Sequence, residues 1–358
     1  MNPYFKLPQE CVEQRRGSIN VLKLLLIVLF FAAVVCGIKY LDIPYLVGVS
    51  KSPKSVKMVP EITACLVEIR GDKGSGTGFF AEIRGKSFIV TNQHVLSGNE
   101  TIEFYASNGE TITVGNIFGA EDYDVALIQV DSPPAILPIK EEIDKLKLEN
   151  KKVIIPGNAL GDGVFSAIKG KVLAVGPQLV EVDAKFVSGH SGSPIITKDI
   201  LGHYTVLGVA TFTKTTKLQG RDQLSRYDET RWYGYRLDNI QKWQQITWNR
   251  FTREAERLNE VETRTENIVR YFTTGRGPLA NDPDVIALNR DMQKSGTLGR
   301  RSIESYESTF KSYITRILLK DIEQSYVYHY DYHRERFEYQ KKIREEMADY
   351  IRQEVFFR

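Results

Sequence analysis

The feature that most constrains the fold is a series of short apolar runs between residues 61 and 240, separated by Gly, Asn, Asp and Pro. Runs such as SFIVTN, VALIQV and YTVLGVATF have the length of single strands, and their spacing is typical of an antiparallel barrel or sandwich. Cys65 is the single cysteine of this region, so no internal disulfide can form there. The pattern predicts an all-β domain at 61–240 that is stabilised by its apolar core.

The chain changes character after this region. Residues 241–358 contain long stretches with few Gly or Pro, interrupted at about 274–302 by breaker residues, and they predict a helical C-terminal region. We expect an antiparallel hairpin or an extended stalk, which is either a structural element that joins copies of the chain in a homo-oligomer or a region that binds partners. His329 and His333 have a spacing that suits a metal on a helix, but no third ligand is in register. A solvated tyrosine-rich face is therefore the favoured interpretation.

An apolar run from Leu24 to Ile38 lies near the start of the chain. It is somewhat shorter than the roughly 20 residues of a comfortable bilayer span, but flanking residues can extend it. We predict a cytoplasmic segment at 1–20, a single-pass transmembrane signal anchor at 21–41 and a linker at 42–60. A cleaved signal peptide and a buried helix are the alternatives.

The basic residues around this run give only a slight orientation. The pair Arg15 and Arg16 stands close before the run, which favours a cytoplasmic N-terminus. The all-β domain would then lie on the periplasmic or extracytoplasmic side of the membrane. The net charge of +3 and the lack of a basic run give no reason to expect nucleic acid as a partner.

Three segments supply a histidine, an aspartate and a serine in that order: TNQHV (91–95), DYDVALIQV (122–130) and GHSGSP (189–194). A serine hydroxyl is a weak nucleophile, so it needs a base within hydrogen-bond reach, and that base needs an acceptor that fixes its tautomer. His94, Asp124 and Ser191 are the candidates for these roles. Asp122 is an alternative carboxylate, but Asp124 leads directly into the apolar run and is preferred.

These segments resemble those of the trypsin-like peptidase superfamily, most of all its bacterial HtrA-type (Deg) branch. GSGTGFF (74–80) is similar to the glycine-rich opening of that family, GNALGDGVFSAIKGKV to its G-N-P-x-G stretch, and VEVDAKFVSGHSGSPI to its serine segment. The resemblance covers 61–240, about half of the chain. It implies a mainly β fold, the trypsin-like double six-stranded antiparallel β-barrel, preceded here by one transmembrane helix and followed by the helical region.

The resemblance also implies a function. It points to a serine endopeptidase that cuts exposed or misfolded proteins near a membrane, without metal or cofactor, through an acyl-enzyme on Ser191. His94 would be the general base and then the acid, and Asp124 the orienting carboxylate. The N–H groups of Gly189 and Ser191 would form the oxyanion hole. Three residues, Thr211, Phe212 and Thr213, would line the substrate pocket.

The chain also departs from the family. His190 stands where the family usually has Asn or Asp, and we expect it to be a solvent-facing loop residue. The alternative is a histidine that adds pH dependence or distorts the oxyanion loop. No PDZ signature follows the catalytic region. Two other functions stay open: a catalytically silent trypsin-like module that binds peptides, and an anchored structural helical protein, which leaves GHSGSP unexplained.

Overall fold

The computed structural model describes residues 58–161, 163–219, 226–274, 277–287, 290 and 326–356. The predicted cytoplasmic segment at 1–20, the anchor at 21–41 and most of the 42–60 linker lie outside these residues. Within the described part of the chain, no helix combines the length and the apolar character that a membrane crossing needs.

The first β structure is a seven-stranded antiparallel sheet. Its strands are β1 (Leu66–Gly71), β2 (Ser75–Ile83), β3 (Lys86–Thr91), β4 (Ile102–Ala106), β5 (Ile117–Ala120), β6 (Ala126–Gln129) and β13 (Trp243–Ile246), in the order β13-β5-β6-β3-β2-β1-β4. Successive side chains of a strand point to opposite faces. In β2, Phe79 and Ala81 enter one apolar core and Phe80 enters another. The strand is therefore buried on both faces.

The second β structure is a closed six-stranded barrel. Its strands are β7 (Lys152–Asn158), β8 (Phe165–Val175), β9 (Leu179–Val182), β10 (Pro194–Lys198), β11 (Tyr204–Gln219) and β12 (Arg226–Arg236), in the order β10-β11-β12-β9-β8-β7. Its interior is filled by aliphatic side chains such as Ile155, Val180 and Leu207. Cys65, in the core between the two β structures, is buried and free.

The prediction of a mainly β, trypsin-like fold is confirmed, and one of the two expected closed six-stranded barrels is present. The first β structure differs from the expectation because it has seven strands. Its extra strand, β13, comes from beyond residue 240, where the chain returns to the first sheet and pairs with β5, Trp243 opposite Ala120. The pairing satisfies the backbone groups of an edge that would otherwise be open.

Residues 283–287 are helical, and five helices have both ends among the described residues. Three are single turns, α1 (Pro60–Thr63), α2 (Gln93–Leu96) and α3 (Lys145–Leu148), and two are long, α4 (Trp248–Thr274) and α5 (Asp331–Phe356). Short 3-10 turns lie at Ala159–Gly161 and Pro278–Asn281. In α4, Phe251, Ala255 and Leu258 recur at helical spacing and are fully buried. The predicted helical character of the C-terminal region is confirmed for these residues.

The start of α4 and the residues around the start of α5 pack against the first sheet. Phe251 and Tyr330 belong to the same apolar core as Val67 and Phe80 of the sheet. The prediction of a solvated tyrosine-rich face is therefore wrong here, since Tyr328, Tyr330 and His333 are 3%, 2% and 0% exposed. His329 precedes the helix, which begins at Asp331, so the assumed helical spacing of the two histidines is wrong as well.

Candidate active site

Strand pairing brings His94 and Asp124 together. β3 ends at Thr91, α2 with His94 follows directly, and Asp124 lies just before β6. The register of the two strands places Thr91 opposite Ala126. The chain leaving β3 and the chain entering β6 are therefore neighbours, although 30 residues separate the two side chains in sequence.

The carboxylate of Asp124 accepts three hydrogen bonds. Its Oδ2 atom lies 2.5 Å from His94 Nδ1 and accepts a bond of 3.0 Å from the Thr211 hydroxyl, and its Oδ1 accepts the His94 backbone N–H at 2.9 Å. A proton held on Nδ1 by this contact leaves Nε2 unprotonated in the neutral ring. The pair thus presents Nε2 as a base on an imidazole whose side chain is 33% exposed.

Asp122 does not share this position. It is exposed, with φ of +62°, and the described hydrogen bonds and ion pairs include none between it and His94. Aspartate tolerates this left-handed conformation better than most residues. The turn that Asp122 forms directs Asp124, and not Asp122, toward the histidine.

Ser191 lies in the loop between β9 and β10, beside the start of β2. Its carbonyl accepts the Thr77 N–H at 2.9 Å. A Cβ atom built on Gly76 would stand 3.1 Å from the Ser191 carbonyl oxygen and 2.7 Å from the side chain of Val95, the residue after His94. The structure therefore places the loop of Ser191 beside α2. The described hydrogen bonds include none between the Ser191 hydroxyl and His94.

The N–H groups of the Ser191 loop fall into two sets. Among the described hydrogen bonds, none uses the N–H of Gly189 or of Ser191, the two predicted oxyanion donors. Gly189 and Gly192 have φ of +90° and +84°, a conformation that favours glycine. Three further N–H groups of the loop donate within the protein: His190 to Val187 O at 3.1 Å, Gly192 to Ala210 O at 2.9 Å and Ser193 to His190 O at 2.9 Å. Two donors are thus left for a ligand oxygen.

His190 is fully buried, so the expectation of a solvent-facing residue is wrong. Its ring lies against Gly157, where a Cβ would stand 3.0 Å from His190 Cδ2 and 2.3 Å from the Ser193 hydroxyl oxygen. The missing side chain at Gly157 makes the space that the ring occupies. Neither ring nitrogen has a hydrogen-bond partner in the described structure, and burial lowers the pKa of His190.

The three residues predicted to line the substrate pocket have different environments. Thr211 is 6% exposed and donates its hydroxyl hydrogen to Asp124. Phe212 is 37% exposed and packs against Tyr233, with tilted rings whose centroids are 5.2 Å apart. Thr213 is exposed on β11. The contact of Thr211 with the carboxylate had no signal in the sequence, because 87 residues separate the partners.

Sequence reasoning also missed two buried polar residues behind the Ser191 loop. The Thr77 hydroxyl donates to the Gly189 carbonyl at 2.7 Å and accepts the Asn158 N–H at 2.9 Å. Both residues lie in segments that carried the family resemblance, which was the only signal for them. Within the described residues, no group of three or more His, Cys, Asp or Glu side chains is arranged to hold a metal ion.

Comparison with known proteins agrees with this geometry. A family model described as "Trypsin-like peptidase domain" matches residues 76–203. The chain is 28% identical over 151 residues to "Protease Do-like 1, chloroplastic" of Arabidopsis thaliana, covering 39% of this chain and 33% of that protein. It is 27% identical over 137 residues to "Probable periplasmic serine protease do/HhoA-like" of Haemophilus influenzae, covering 36% and 29%.

Among solved structures, the serine endoprotease from Yersinia pestis matches with 21% identity and a TM-score of 0.37, over 44% of this chain and 58% of that one. The chain spans about a third of the length of the curated relatives it matches. The residues matched by the family model include His94, Asp124 and Ser191. Residues 76–203 therefore match a trypsin-like peptidase domain, and the chain is similar in sequence to proteins named HtrA and Do-like serine proteases.

Proposed function

We propose that the chain is a serine endopeptidase that acts through an acyl-enzyme on Ser191. The observation that carries this proposal is the His94–Asp124 pair, whose Nδ1 to Oδ2 distance is 2.5 Å, next to a loop with two unused N–H groups. A base held in one tautomer and donors for an oxyanion are the two elements that a serine nucleophile needs.

The proposed reaction has two halves. The Ser191 hydroxyl oxygen attacks the carbonyl carbon of the scissile bond while His94 Nε2 takes its proton. The negative oxygen of the tetrahedral intermediate accepts hydrogen bonds from the N–H groups of Gly189 and Ser191. His94 then gives the proton to the leaving amine, and a water molecule repeats the sequence to release the acyl group. Asp124 keeps the ring oriented and stabilises the imidazolium.

The proposed substrates are exposed or misfolded proteins near a membrane. Support comes from the Do-like relatives, one of which is named periplasmic, and from the apolar run within residues 21–41. Three neighbouring residues of β11 are proposed to border the substrate site: Phe212, Thr213 and Thr211, the last of which contacts Asp124.

Because the run at 21–41 has a signal-anchor pattern, we propose that the peptidase domain lies on the extracytoplasmic side. Self-association through the C-terminal helices is a further part of the proposal.

A second candidate function is a silent trypsin-like module that binds peptides. It is favoured by the buried His190, which lies next to Ser191 without a partner for either ring nitrogen. Such a side chain leaves the loop less firmly held than a hydrogen-bonded one would.

Labelling of the full chain with a fluorophosphonate, beside a Ser191→Ala control, separates the two functions. A peptidase gives labelling in the wild type that is lost in the variant, because only an activated serine reacts. Folded wild-type protein that does not label would favour the silent module.

The substrate proposal has its own test. The rate of cleavage of one protein is compared in its native form and in its reduced, carboxymethylated form. We expect cleavage of the unfolded form only, since an extended segment must enter the site. Equal cleavage of both forms would contradict the proposal.

A separate experiment tests the anchor. The full chain and a variant that lacks residues 21–41 are compared for their resistance to alkaline extraction from membranes.

A further inference from the structure

Thr77 is a buried residue of β2 that touches the Ser191 loop twice. Its side chain is 0% exposed. Its N–H donates to Ser191 O at 2.9 Å, and its hydroxyl donates to Gly189 O at 2.7 Å. Both bonds thus end on the carbonyl groups of the two residues whose N–H groups form the proposed oxyanion hole.

The direction of the hydroxyl bond is set by the other partner of the same oxygen. Thr77 Oγ1 accepts the N–H of Asn158 at 2.9 Å, so the hydroxyl hydrogen is free to point at Gly189. The Thr77 carbonyl is occupied as well, because it accepts the Thr91 hydroxyl at 2.8 Å. Every polar group of Thr77 therefore has a partner. The hydrogen bonds of the residue fix the orientation of its hydroxyl group.

Asn158 is held as firmly as Thr77. It is 0% exposed at the end of β7, its Nδ2 donates to Glu68 Oε1 at 3.3 Å, and its Oδ1 accepts the Gly163 N–H at 2.9 Å. Glu68 lies directly opposite Thr77 in the β1–β2 register. The Thr77 hydroxyl is thus fixed by the first sheet and by the second barrel together.

The Ser191 loop needs such a support because it contains glycines. Gly189 has φ of +90°, and a glycine restricts its own backbone less than any other residue does. A bond to its carbonyl fixes the plane of the following peptide and, with it, the path of the chain into Ser191. Oxyanion donors contribute to catalysis only where they are aimed at the place where the charge develops.

We propose that Thr77 is a positioning residue, whose hydroxyl holds the Gly189 carbonyl and so aims the N–H groups of Gly189 and Ser191 at the substrate oxygen. The inference rests on the proposed peptidase function. Thr77 touches no substrate atom itself, and its effect on the reaction passes through the loop.

Three substitutions in the full chain test the role. Thr77→Val keeps the shape of the side chain and removes the hydroxyl, whereas Thr77→Ser keeps the hydroxyl. Thr197→Val is the matched control, since Thr197 is 4% exposed and its hydroxyl bonds Lys152 O at 3.1 Å in the second barrel, outside the loop. The kcat and KM for an unfolded protein substrate, the rate of fluorophosphonate labelling and the thermal midpoint are measured for each.

We expect Thr77→Val to lower kcat and the labelling rate about 10- to 100-fold with little change in KM, a loss somewhat below that of removing an oxyanion donor outright. Thr77→Ser should restore kcat to within about two-fold, because its hydroxyl can make the same bond. Thr197→Val should lower the thermal midpoint as Thr77→Val does but leave kcat unchanged. A Thr77→Val enzyme with the kcat of Thr197→Val would overturn the proposal.

Amide hydrogen exchange of a peptide covering residues 187–193 gives a readout that does not depend on activity. We expect faster exchange in Thr77→Val than in Thr197→Val, since the loop loses its support. If the wild type does not hydrolyse or label at all, the peptidase function fails, and the exchange result alone decides whether Thr77 holds the loop. Equal exchange in the two variants would contradict the role of Thr77 in either case.

Discussion

At the scale of single residues, hydrogen bonds from several elements hold the Asp124 carboxylate in place. Its two oxygens accept hydrogen bonds from His94 Nδ1, from the His94 N–H and from the Thr211 hydroxyl. These donors come from α2 and from β11, so the first sheet and the second barrel both determine where the carboxylate lies. An amide in its place would present a donor to His94 and favour the other tautomer of the ring.

The substitution Asp124→Asn should therefore lower kcat by about 10⁴-fold while leaving the fold intact. Asp122→Asn is the control, because Asp122 is exposed and two residues away. Steady-state hydrolysis of an unfolded protein substrate measures both. A loss in Asp122→Asn with none in Asp124→Asn would show that the carboxylates have been assigned the wrong way round.

The buried His190 makes stability depend on pH. Burial lowers the pKa of His190 in the folded chain, whereas the unfolded chain keeps the ordinary value of about 6.5. As the pH falls below that value, the unfolded state binds a proton that the folded state does not. The free energy of unfolding should then fall by up to about 1.4 kcal/mol per pH unit for this group.

Urea unfolding at pH 7.5, 6.5 and 5.5 measures this dependence. His190→Asn should flatten it relative to the wild type, and His203→Asn should not, since His203 has an exposed side chain. His333, whose pKa is also lowered mainly by burial, retains part of the dependence in both variants. An unchanged slope in His190→Asn would contradict the assignment.

At the scale of elements, a buried cluster of polar side chains joins α4 and α5 to the turn that follows His94. His333 Nδ1 lies 3.2 Å from Glu254 Oε2, and its Nε2 lies 3.2 Å from the Ser97 hydroxyl. The Ser97 N–H in turn donates to Gln93 O at 2.8 Å, which closes α2. The two long helices are thus attached to the element that carries the candidate base.

Glu254 is the centre of this cluster. It is 1% exposed and also accepts the N–H groups of His329 and Tyr330, at 2.8 Å and 3.3 Å. Glu254→Ala should lower the free energy of unfolding by about 3 kcal/mol, because it leaves buried donors without an acceptor. Glu256→Ala, on the same helix but with an exposed side chain, should stay within about 0.5 kcal/mol of the wild type. Urea unfolding of the two variants measures the difference, and equal stabilities would contradict the role of the cluster.

At the scale of the whole molecule, residues 326–343 and 58–263 form one compact unit although they are distant in sequence. Phe251 packs on Tyr330 and His333, with ring centroids 5.2 Å and 4.4 Å apart, and Arg336 binds both carboxylate oxygens of Glu262 at 2.6 Å. These contacts bury apolar and charged groups of both segments together. The segments should therefore stay associated without a covalent link.

A protease site inserted between residues 300 and 310 tests this association. After cleavage, the two pieces should elute together in gel filtration, and activity should be retained. The same insertion in a Glu254→Ala background is the control, in which we expect the pieces to separate more easily. Complete separation of the wild-type pieces would show that these contacts do not hold the unit together.

Much of the molecule was decided by the sequence itself. The alternation of short apolar runs and turn residues predicted the strands, because side-chain direction alternates along a strand and turns need particular backbone angles. The order of His94, Asp124 and Ser191, with glycines at 189 and 192, carried the family resemblance. These are local properties, which neighbouring residues largely determine.

Only the tertiary structure decided which distant groups meet. Thr211 is 87 residues from Asp124, Thr77 is 112 from Gly189 and Ser97 is 236 from His333, so no local pattern could pair them. The burial of His190 depends on the missing side chain of Gly157 in another strand, and the return of the C-terminal helices depends on an apolar face of the first sheet. Such contacts follow from strand register and from the packing of complete elements, which a linear pattern does not specify.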